Sequence, residues 1–175
     1  MKRRAALLRA AALLAACATP PRDAEGPPWT SGRLSLRIEA SPERLAQSLA
    51  VAFELRGDGR SGELRLISPL GTQLASARWA PGLATLGTPD GNQEYASLDE
   101  LSRQALGATL PLAALPDWLA GRPWPGAAHA VREGGGGFDQ LGWQVLLSRL
   151  AEGWVEARRA AAPQVLVRVK LDAAP

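Results

Sequence analysis

The chain has 175 residues, a formal net charge of +3 and a single cysteine, Cys17. Four basic residues, Lys2, Arg3, Arg4 and Arg9, precede that cysteine; without them 16 basic residues face 17 acidic ones, a net charge of −1. The remaining arginines are scattered, so no basic patch that would follow phosphates is visible and nucleic-acid binding is disfavoured. One cysteine cannot form a disulfide within the chain, so the hydrophobic core must hold the fold.

Residues 1–16 have the features of a signal peptide: a basic start, a short apolar run and small residues at the end. The segment Leu14-Ala15-Ala16-Cys17 resembles the lipobox of bacterial lipoproteins, in which the cysteine is acylated and becomes the first mature residue. The alternative is an ordinary signal peptide with a cysteine there by chance. On the first interpretation Cys17 is the lipid attachment site, and several acyl chains together anchor a protein stably.

Residues 17–28 combine the cysteine with a proline-rich tether, since four prolines in this stretch prevent regular structure. Residues 29–175 are long enough for one domain. A period of two after Trp29 predicts an antiparallel meander of six strands. These strands are predicted at 33–39, 48–56, 63–67, 72–80, 83–87 and 93–96.

The period changes at Ser97-Leu98-Asp99-Glu100, a capping-box pattern that predicts a helix ending at Gly107. A second helix is predicted over 110–120, and Pro116 inside it favours a kink or two short pieces. Strands are predicted again at 141–149, 153–157 and 165–171. The glycines of 134–137 predict a flexible loop without a phosphate-binding role, because no helix begins after them.

Strands, then helices, then strands indicate the α+β class, with a sheet of about eight or more strands that curls around the helices. If helices fill the mouth of such a sheet, its interior can be an apolar ligand cavity. Apolar side chains on the inward faces of the strands, and large side chains of the covering helices, are the candidate lining. The candidates are Leu34, Leu36, Leu49, Val51, Phe53, Leu64, Leu66, Trp79, Leu115, Trp118 and Trp143.

Candidate catalytic groups are scarce. His129 is the only histidine, and it has no nucleophile pattern beside it, so an exposed histidine on a loop is the plainer interpretation. With Cys17 acylated, no thiol remains for catalysis or for a zinc site. The carboxylates between residues 90 and 100 lie at a turn and a helix start, where capping and solvation explain them. We therefore expect no enzyme, no metal and no cofactor.

Leu70 stands at the middle of a Pro69-Leu70-Gly71 turn between two predicted strands. Such a turn directs its middle residue outward, where a leucine gains nothing from water. One interpretation is a leucine folded back onto the edge of the sheet. The other is a small finger, formed by Pro69, Leu70 and Gly71, that inserts into a membrane.

Taken in order, these motifs resemble the LolB family of outer-membrane lipoproteins over roughly residues 29–171. The motifs are the lipobox at Cys17, Ser31-Gly32-Arg33-Leu34, Gly62-Glu63-Leu64-Arg65-Leu66, Ser68-Pro69-Leu70-Gly71, Thr88-Pro89-Asp90-Gly91, Leu110-Pro111-Leu112, Leu115-Pro116-Asp117-Trp118-Leu119-Ala120-Gly121, and the segment from Phe138 to Gly142-Trp143. Each motif is weak alone, and their order and spacing make the resemblance specific.

The resemblance implies an incomplete, strongly curved antiparallel barrel with two or three helices as a lid over an apolar cavity. It implies a monomeric, lipid-anchored protein on the periplasmic face of the outer membrane of a Gram-negative bacterium. Such a protein takes the acyl chains of cargo lipoproteins from a LolA-type periplasmic carrier and delivers them into outer-membrane lipid without nucleotide hydrolysis. The family's exposed leucine corresponds to Leu70, and Ala18 stands where aspartate commonly signals inner-membrane retention.

Two other hypotheses stay open on the sequence alone. A structural or assembly lipoprotein of the envelope would have a tightly packed barrel and would transfer no lipid. An envelope hydrolase would need a catalytic group, for which His129 is the only histidine available.

Overall fold

The computed structural model describes residues 27–42 and 44–173. The predicted signal peptide at 1–16, the predicted lipid attachment site at Cys17 and all of the tether before Pro27 lie outside the described residues. Within the described ranges, no helix is both long enough and apolar enough to cross a membrane.

The described part of the chain contains one antiparallel sheet of eleven strands. The strands are β1 (Thr30–Ile38), β2 (Gln47–Gly57), β3 (Gly62–Ile67), β4 (Gln73–Ala80), β5 (Leu83–Thr88), β6 (Gly91–Tyr95), β7 (His129–Val131), β8 (Gly137–Gln140), β9 (Trp143–Leu146), β10 (Trp154–Arg159) and β11 (Val165–Leu171). Their order across the sheet is β6-β5-β4-β3-β2-β1-β11-β10-β9-β8-β7, so the first and last strands pair at its centre. The edge strands β6 and β7 do not pair with each other, and the sheet stays open.

Two α-helices follow β6: α1 (Leu98–Leu106) and α2 (Leu115–Leu119). Short 3₁₀ turns occur at Leu112–Ala114, Glu133–Gly135 and Leu150–Glu152. One hydrophobic cluster joins both helices to buried residues of β4 and β5, near one edge of the sheet, and of β8 and β9, near the other. Neighbouring strands are about 4.8 Å apart, so a flat sheet could not bring these strands into one core. The predicted α+β class and curled, open antiparallel sheet are confirmed.

Alternation along β1 shows how the sequence sets the two faces of the sheet. Leu36 and Ile38 are buried, whereas Arg33, Ser35 and Arg37 are exposed. The register then places apolar residues beside one another across the central strands, because each pair shares a face. The inner face is therefore apolar, and the outer face carries the charged side chains.

The predicted start and end of α1 are confirmed. Ser97 Oγ accepts a hydrogen bond of 3.1 Å from the Glu100 backbone N–H, and the Glu100 carboxylate accepts one of 3.1 Å from the N–H of Ala96. Gly107 ends the helix with φ 73°, the left-handed conformation that glycine adopts without strain. These two caps fix the length of the helix that covers the sheet.

The predicted second helix, over 110–120, consists of two short pieces, as Pro116 suggested. A 3₁₀ turn at Leu112–Ala114 runs directly into α2, and Pro116 lies in the first turn of α2. Proline is tolerated there because the backbone N–H groups of a first helical turn have no partner within the helix.

The strands β7 and β8 are missing from the predicted elements. His129, expected on a loop, is exposed but lies at the start of β7. The predicted strand over 141–149 is too long, because β9 covers only Trp143–Leu146. A two-residue turn explains the difference: Leu141 and Gly142 have φ values of 54° and 76°, typical of a type I′ hairpin, and they join β8 to β9.

The expected glycine-rich loop at 134–137 is partly wrong as well. Glu133–Gly135 forms a 3₁₀ turn and Gly137 is the first residue of β8. Gly137 has φ 148°, and a Cβ there would lie 1.9 Å from the carbonyl oxygen of Val145. Only glycine fits at position 137, because strands β8 and β9 approach each other closely there.

The chain enters the domain beside an ion-pair cluster on the outer face of the sheet. The guanidinium groups of Arg56 and Arg65 lie over the Trp29 ring, at 4.5 and 4.3 Å from the ring centroid. Both arginines also pair with the buried Glu63 carboxylate, at 3.0 and 2.9 Å, and Arg78 pairs with it at 3.3 Å. Cation–π contacts and ion pairs together hold the first residue of the domain against β2 and β3.

The antiparallel order gives the sheet two distinct ends. The loop between β1 and β2 (39–46), the turn between β3 and β4 (68–72) and the turn between β5 and β6 share one end, here named the tip end. The hairpin between β2 and β3 and the turn between β4 and β5 lie at the opposite end, here named the far end. Trp29 precedes Thr30, which pairs with Leu55, so the chain enters at the far end.

Candidate functional site

A pocket of about 360 Å³ lies between the inner face of the sheet and the covering helices. This volume is within the range of about 300–1,000 Å³ that is common for ligand sites. Its lining comes from β1 to β5, from α1 and α2 with the segment between them, and from β9 to β11. Nearly all of the lining side chains are apolar; Ser76, Thr88 and Ser102 are the hydroxyl-bearing residues of the lining.

Eight of the predicted lining residues lie around this pocket. They come from strands β1 to β3, from α2 and from β9. They are Leu34, Leu36, Leu49, Leu64, Leu66, Leu115, Trp118 and Trp143. Trp118 and Trp143 contact each other with ring centroids 6.2 Å apart and are almost fully buried. Their role toward an acyl chain stays a prediction.

The structure places the other three predicted residues outside the lining. Val51 is buried on β2, and Phe53 is buried in the core, where its ring lies against Gly32. Trp79 lies at the far end, and its Nε1–H donates a hydrogen bond of 2.9 Å to the Asp58 carbonyl. The alternation of apolar and polar residues correctly predicts that these side chains point inward. It does not predict how far along each strand the pocket extends.

Several lining residues are not among the predicted ones, and the small ones decide the shape of the pocket. Ala75 and Ala77 on β4 lie across from Leu66 and Leu64 on β3. Alanine at these two positions leaves free volume that a larger side chain would fill. Their signal in the sequence is the spacing Ala75, Ala77, Trp79, which repeats the period of two.

Further lining residues missing from the prediction come from α1, from the segment after it and from neighbouring strands. They are Leu86, Leu101, Ala105, Leu106, Leu110, Pro111, Leu112, Ala157 and Val167, with the hydroxyl residues named above. Leu101 and Ala105 share one apolar face of the predicted helix, so the helical period could have identified the lining residues of α1.

Ser102 is fully buried, and its hydroxyl is engaged by the backbone. Its Oγ accepts a hydrogen bond of 3.0 Å from the Leu110 N–H and donates one of 3.2 Å to the Asp99 carbonyl. The hydroxyl thus fastens the segment after α1 to α1 itself. It is satisfied within the protein, so the pocket wall at this point behaves as apolar.

Gln140 on β8 is a buried amide that holds α2 and the segment after it. Its Oε1 accepts hydrogen bonds from Trp118 Nε1 (2.8 Å) and the Trp124 N–H (2.9 Å). Its Nε2 donates to the carbonyls of Trp124 (2.7 Å) and Ala127 (2.8 Å). All four hydrogen bonds that a glutamine side chain typically forms are therefore made, and Trp118 is positioned at the pocket by one of them.

Arg159 lies beside the pocket, at the tip end of β10. Its guanidinium donates to the carbonyls of Thr109 (3.2 Å) and Pro163 (3.0 Å) and lies 5.7 Å from the ring centroid of Trp143. Its Nε–H is buried and has no hydrogen-bond partner among the residues that the structure describes. Burial away from water lowers the pKa of Arg159. Strand β10 is thereby joined to the segment between the helices.

Leu70 projects from the turn between β3 and β4 and is 93% exposed. Ser68 organises this turn: its Oγ accepts from the N–H groups of Leu70 (3.3 Å) and Thr72 (3.2 Å), and its carbonyl accepts from Gly71 (2.9 Å). Gly71 has φ 82°, a left-handed conformation. The alternative of a leucine folded back onto the sheet edge is therefore wrong, and Leu70 points into solvent.

Among the described residues, no group of three or more histidine, cysteine, aspartate and glutamate side chains is arranged to hold a metal ion. The site consists of an apolar pocket, the hydrogen bonds that hold the surrounding segments together, and an exposed leucine at the tip end. This arrangement can bind a hydrocarbon chain by removing it from water.

Comparison with known proteins agrees with this geometry. The sequence profile of the family described as "Outer membrane lipoprotein LolB" matches residues 29–172. A protein of Bordetella petrii named outer-membrane lipoprotein LolB is 39% identical over 149 residues, covering 79% of this chain and 74% of that protein. A protein of the same name from Cupriavidus metallidurans is 34% identical over 171 residues, covering 92% and 82%. The chain therefore belongs to the LolB family of outer-membrane lipoproteins.

Proposed function

We propose that this protein accepts acylated lipoproteins from a LolA-type periplasmic carrier and inserts them into the outer membrane. The observation that supports this proposal best is the apolar pocket between the curled sheet and the helices. A structural lipoprotein with a packed barrel, the alternative hypothesis, would have no reason to keep such a volume free. The family to which the chain belongs supports the outer membrane as the place where this protein acts.

Transfer in this proposal is driven by hydrophobic partitioning and involves no covalent chemistry and no nucleotide. Each methylene removed from water contributes about 0.8 kcal/mol, so a pocket that shields a few more methylenes than the carrier accepts the cargo. The bilayer shields all of them, and it is therefore the final acceptor. Cargo acyl chains and outer-membrane lipid are the two partners of the pocket besides the carrier.

The helices α1 and α2 act as the lid in this proposal. They cover the pocket. Leu101 and Trp118 pack in the hydrophobic cluster, and hydrogen bonds join the helical segment to the strands, from Arg159 to the Thr109 carbonyl and from Trp118 to Gln140. Hydrogen bonds of this kind contribute about 1 kcal/mol each to stability, so a partial opening is accessible when an acyl chain replaces the apolar contacts. The lining residues named above then contact the chain.

The proposal also assigns the ends of the sequence. Residues 1–16 are the signal peptide, Cys17 carries the lipid anchor, 17–28 is the tether, and 29–175 is the single domain, working as a monomer. Pro69, Leu70 and Gly71 form the finger that contacts the bilayer during delivery. A leucine that is 93% exposed packs against little of the described part of the chain, so core packing does not explain its presence on this turn.

A transfer assay tests the proposal. The lipidated protein in proteoliposomes is mixed with a LolA-type carrier that holds a radiolabelled acylated lipoprotein. We expect the label to leave the carrier and to sediment with the liposomes, without added nucleotide. Cargo that stays on the carrier, together with no binding of hydrophobic fluorescent probes, would support the structural alternative instead.

Leu70→Glu separates acceptance from insertion, because Leu70 does not line the pocket. We expect cargo to leave the carrier at the normal rate, and insertion into liposomes to fall about tenfold or more, since the burial of a leucine side chain in lipid is lost. Leu83→Glu is the matched control: Leu83 is 44% exposed and lies at the far end. Normal insertion by Leu70→Glu would remove the finger from the mechanism.

A further inference from the structure

A second leucine is nearly as exposed as Leu70. Leu45, in the loop between β1 and β2, is 87% exposed. Among the described residues, the next most exposed leucine is Leu141, at 46%. Val131, on the edge strand β7, is 74% exposed, and the other exposed large apolar side chains of the described residues lie between 37% and 46%. Leu45 and Leu70 are thus the two most exposed large apolar side chains of the described surface.

Both leucines lie at the tip end. In an antiparallel sheet, the loop between β1 and β2 and the turn between β3 and β4 must leave the same end, and both occur in four neighbouring strands. Two strand spacings, about 10 Å, separate the centres of the two hairpins across the sheet. The two side chains thus belong to one rim.

The register shows how the two tips relate in height. Ala52 pairs with Ile67, the last residue of β3, and Gln47 lies five positions before Ala52. Strand β2 therefore extends about 17 Å past the end of β3. The two hairpins therefore project from the tip end by different lengths, and a flat surface contacts both tips only if the axis of the sheet is inclined to it.

The loop that carries Leu45 is held in place. The backbone groups of Ser41 and Arg44 form two hydrogen bonds, of 2.8 and 3.2 Å. Arg44 donates to the Gln104 carbonyl at 3.4 Å, and its side chain packs against Gly107 at the end of α1. The exposure of Leu45 is thus built into the fold, and its loop is joined directly to a helix that covers the pocket.

We propose that Leu45 is a second membrane-contact residue, which enters lipid beside Leu70. A protein partner would need a continuous apolar patch, whereas this rim offers two isolated side chains on separate tips. Isolated apolar tips gain free energy in a fluid apolar medium, which adapts to any shape. This inference deepens the proposed function and rests on its membrane-delivery step.

Site-specific fluorescence tests the inference with the full, lipidated chain. Cys17, the only natural cysteine, is acylated in the proposal, so Leu45→Cys, Leu70→Cys and Leu83→Cys each supply one thiol for an environment-sensitive dye. In proteoliposomes of outer-membrane phospholipid we expect dyes at 45 and 70 to be quenched by a bilayer-resident quencher. The dye at 83, at the far end, should be quenched by aqueous iodide instead.

The outcomes separate the inference from the proposed function. A dye at 45 that behaves like the dye at 83, while 70 is in lipid, overturns the inference alone. Dyes at 45 and 70 that both stay in water contradict the delivery step as well. Shielding at 45 that needs the carrier, rather than the bilayer, would make Leu45 a carrier contact and would also overturn the inference.

Function gives a second readout. We expect Leu45→Glu to leave acceptance from the carrier unchanged and to lower insertion about tenfold. Circular dichroism should match the parent protein, because Leu45 has almost no contacts to lose. Insertion at the parental rate by Leu45→Glu, with Leu70→Glu impaired in the same assay, would contradict a role for Leu45.

Discussion

At the scale of single residues, Gln140 joins α2 and the segment after it to strand β8 by hydrogen bonds. It is 2% exposed and makes four hydrogen bonds. We expect Gln140→Leu to lower the free energy of unfolding by about 3 kcal/mol, because buried groups of Trp118, Trp124 and Ala127 lose their partners. Urea unfolding followed by tryptophan fluorescence measures the change.

Gln144→Leu is the control for this change, since Gln144 is exposed on β9. Its effect should stay within about 0.5 kcal/mol. Equal stability of the two variants would show that the Gln140 hydrogen bonds do not hold α2.

Glu63 makes stability depend on pH. Burial alone raises the pKa of its carboxyl, but hydrogen bonds from Arg65 and Arg56 and the charge of Arg65 more than offset burial, and the pKa is lowered. Because the folded pKa is the lower one, this stabilisation is complete above the unfolded pKa of about 4.3 and is lost as the pH falls through the folded pKa.

Glu63→Gln should therefore lower the free energy of unfolding by about 2 kcal/mol at pH 7, and the difference from the parent should shrink toward pH 3. Urea unfolding at a series of pH values measures it. Glu94→Gln, at an exposed position of β6, is the control. A difference that stays constant from pH 7 to pH 3 would be inconsistent with this account of the carboxylate.

At the scale of elements, strand β4 sets the free volume of the pocket through its alanines. Ala75→Phe should fill part of the pocket and lower the binding of an acyl probe about tenfold or more, while the domain stays folded. Titration with a fluorescent fatty acid measures this. Ala50→Phe, on the exposed face of β2, is the matched control and should bind normally. Unimpaired binding by Ala75→Phe would mean that the acyl chain lies elsewhere.

Much of the fold at this scale is predictable from period and capping. The alternation in β1 to β5 predicts strands, and the pattern from Ser97 to Gly107 predicts a capped helix; the structure contains both. The short strand β8 is not predictable in this way, because its end depends on Leu141 adopting a left-handed conformation that leucine rarely takes. Tertiary pairing with β9 decides that conformation.

The candidate site was predictable where side chains are large and less so where they are small. Leu64 and Leu66 reveal their face by alternation, whereas Ala75 and Ala77 carry little hydrophobic signal although they shape the pocket. Trp79 shares their face but lies past the pocket. Position along the strand is set by the curl of the whole sheet, and no local pattern contains it.

At the scale of the molecule, the entry of the chain and the exposed leucines lie at opposite ends of the sheet. Trp29 is held at the far end, and Leu70 projects from the tip end. Strand β1, with nine residues, spans about 30 Å between these ends. Residues 18–28, fully extended, span at most about 40 Å. A protein anchored through Cys17 therefore needs nearly all of this tether to bring Leu70 to the same bilayer.

Deleting residues 20–26 should leave acceptance from the carrier unchanged and strongly reduce insertion, because the remaining tether reaches only about 14 Å. The transfer assay measures both steps. Replacing 20–26 with a glycine–serine segment of equal length should restore insertion, since length and not composition is at issue. Full insertion by the deletion variant would show that the tether does not need to be long enough to bring Leu70 to the bilayer of the anchor.

The clamp on Trp29 has a consequence for how the anchored molecule stands. Because Arg56 and Arg65 hold Trp29 at the far end, the lipid anchor of the proposed function is joined to the end of the sheet opposite Leu70. Delivery in that proposal therefore requires the whole domain to be inverted relative to its own anchor, with the tether running back along the outside of the sheet.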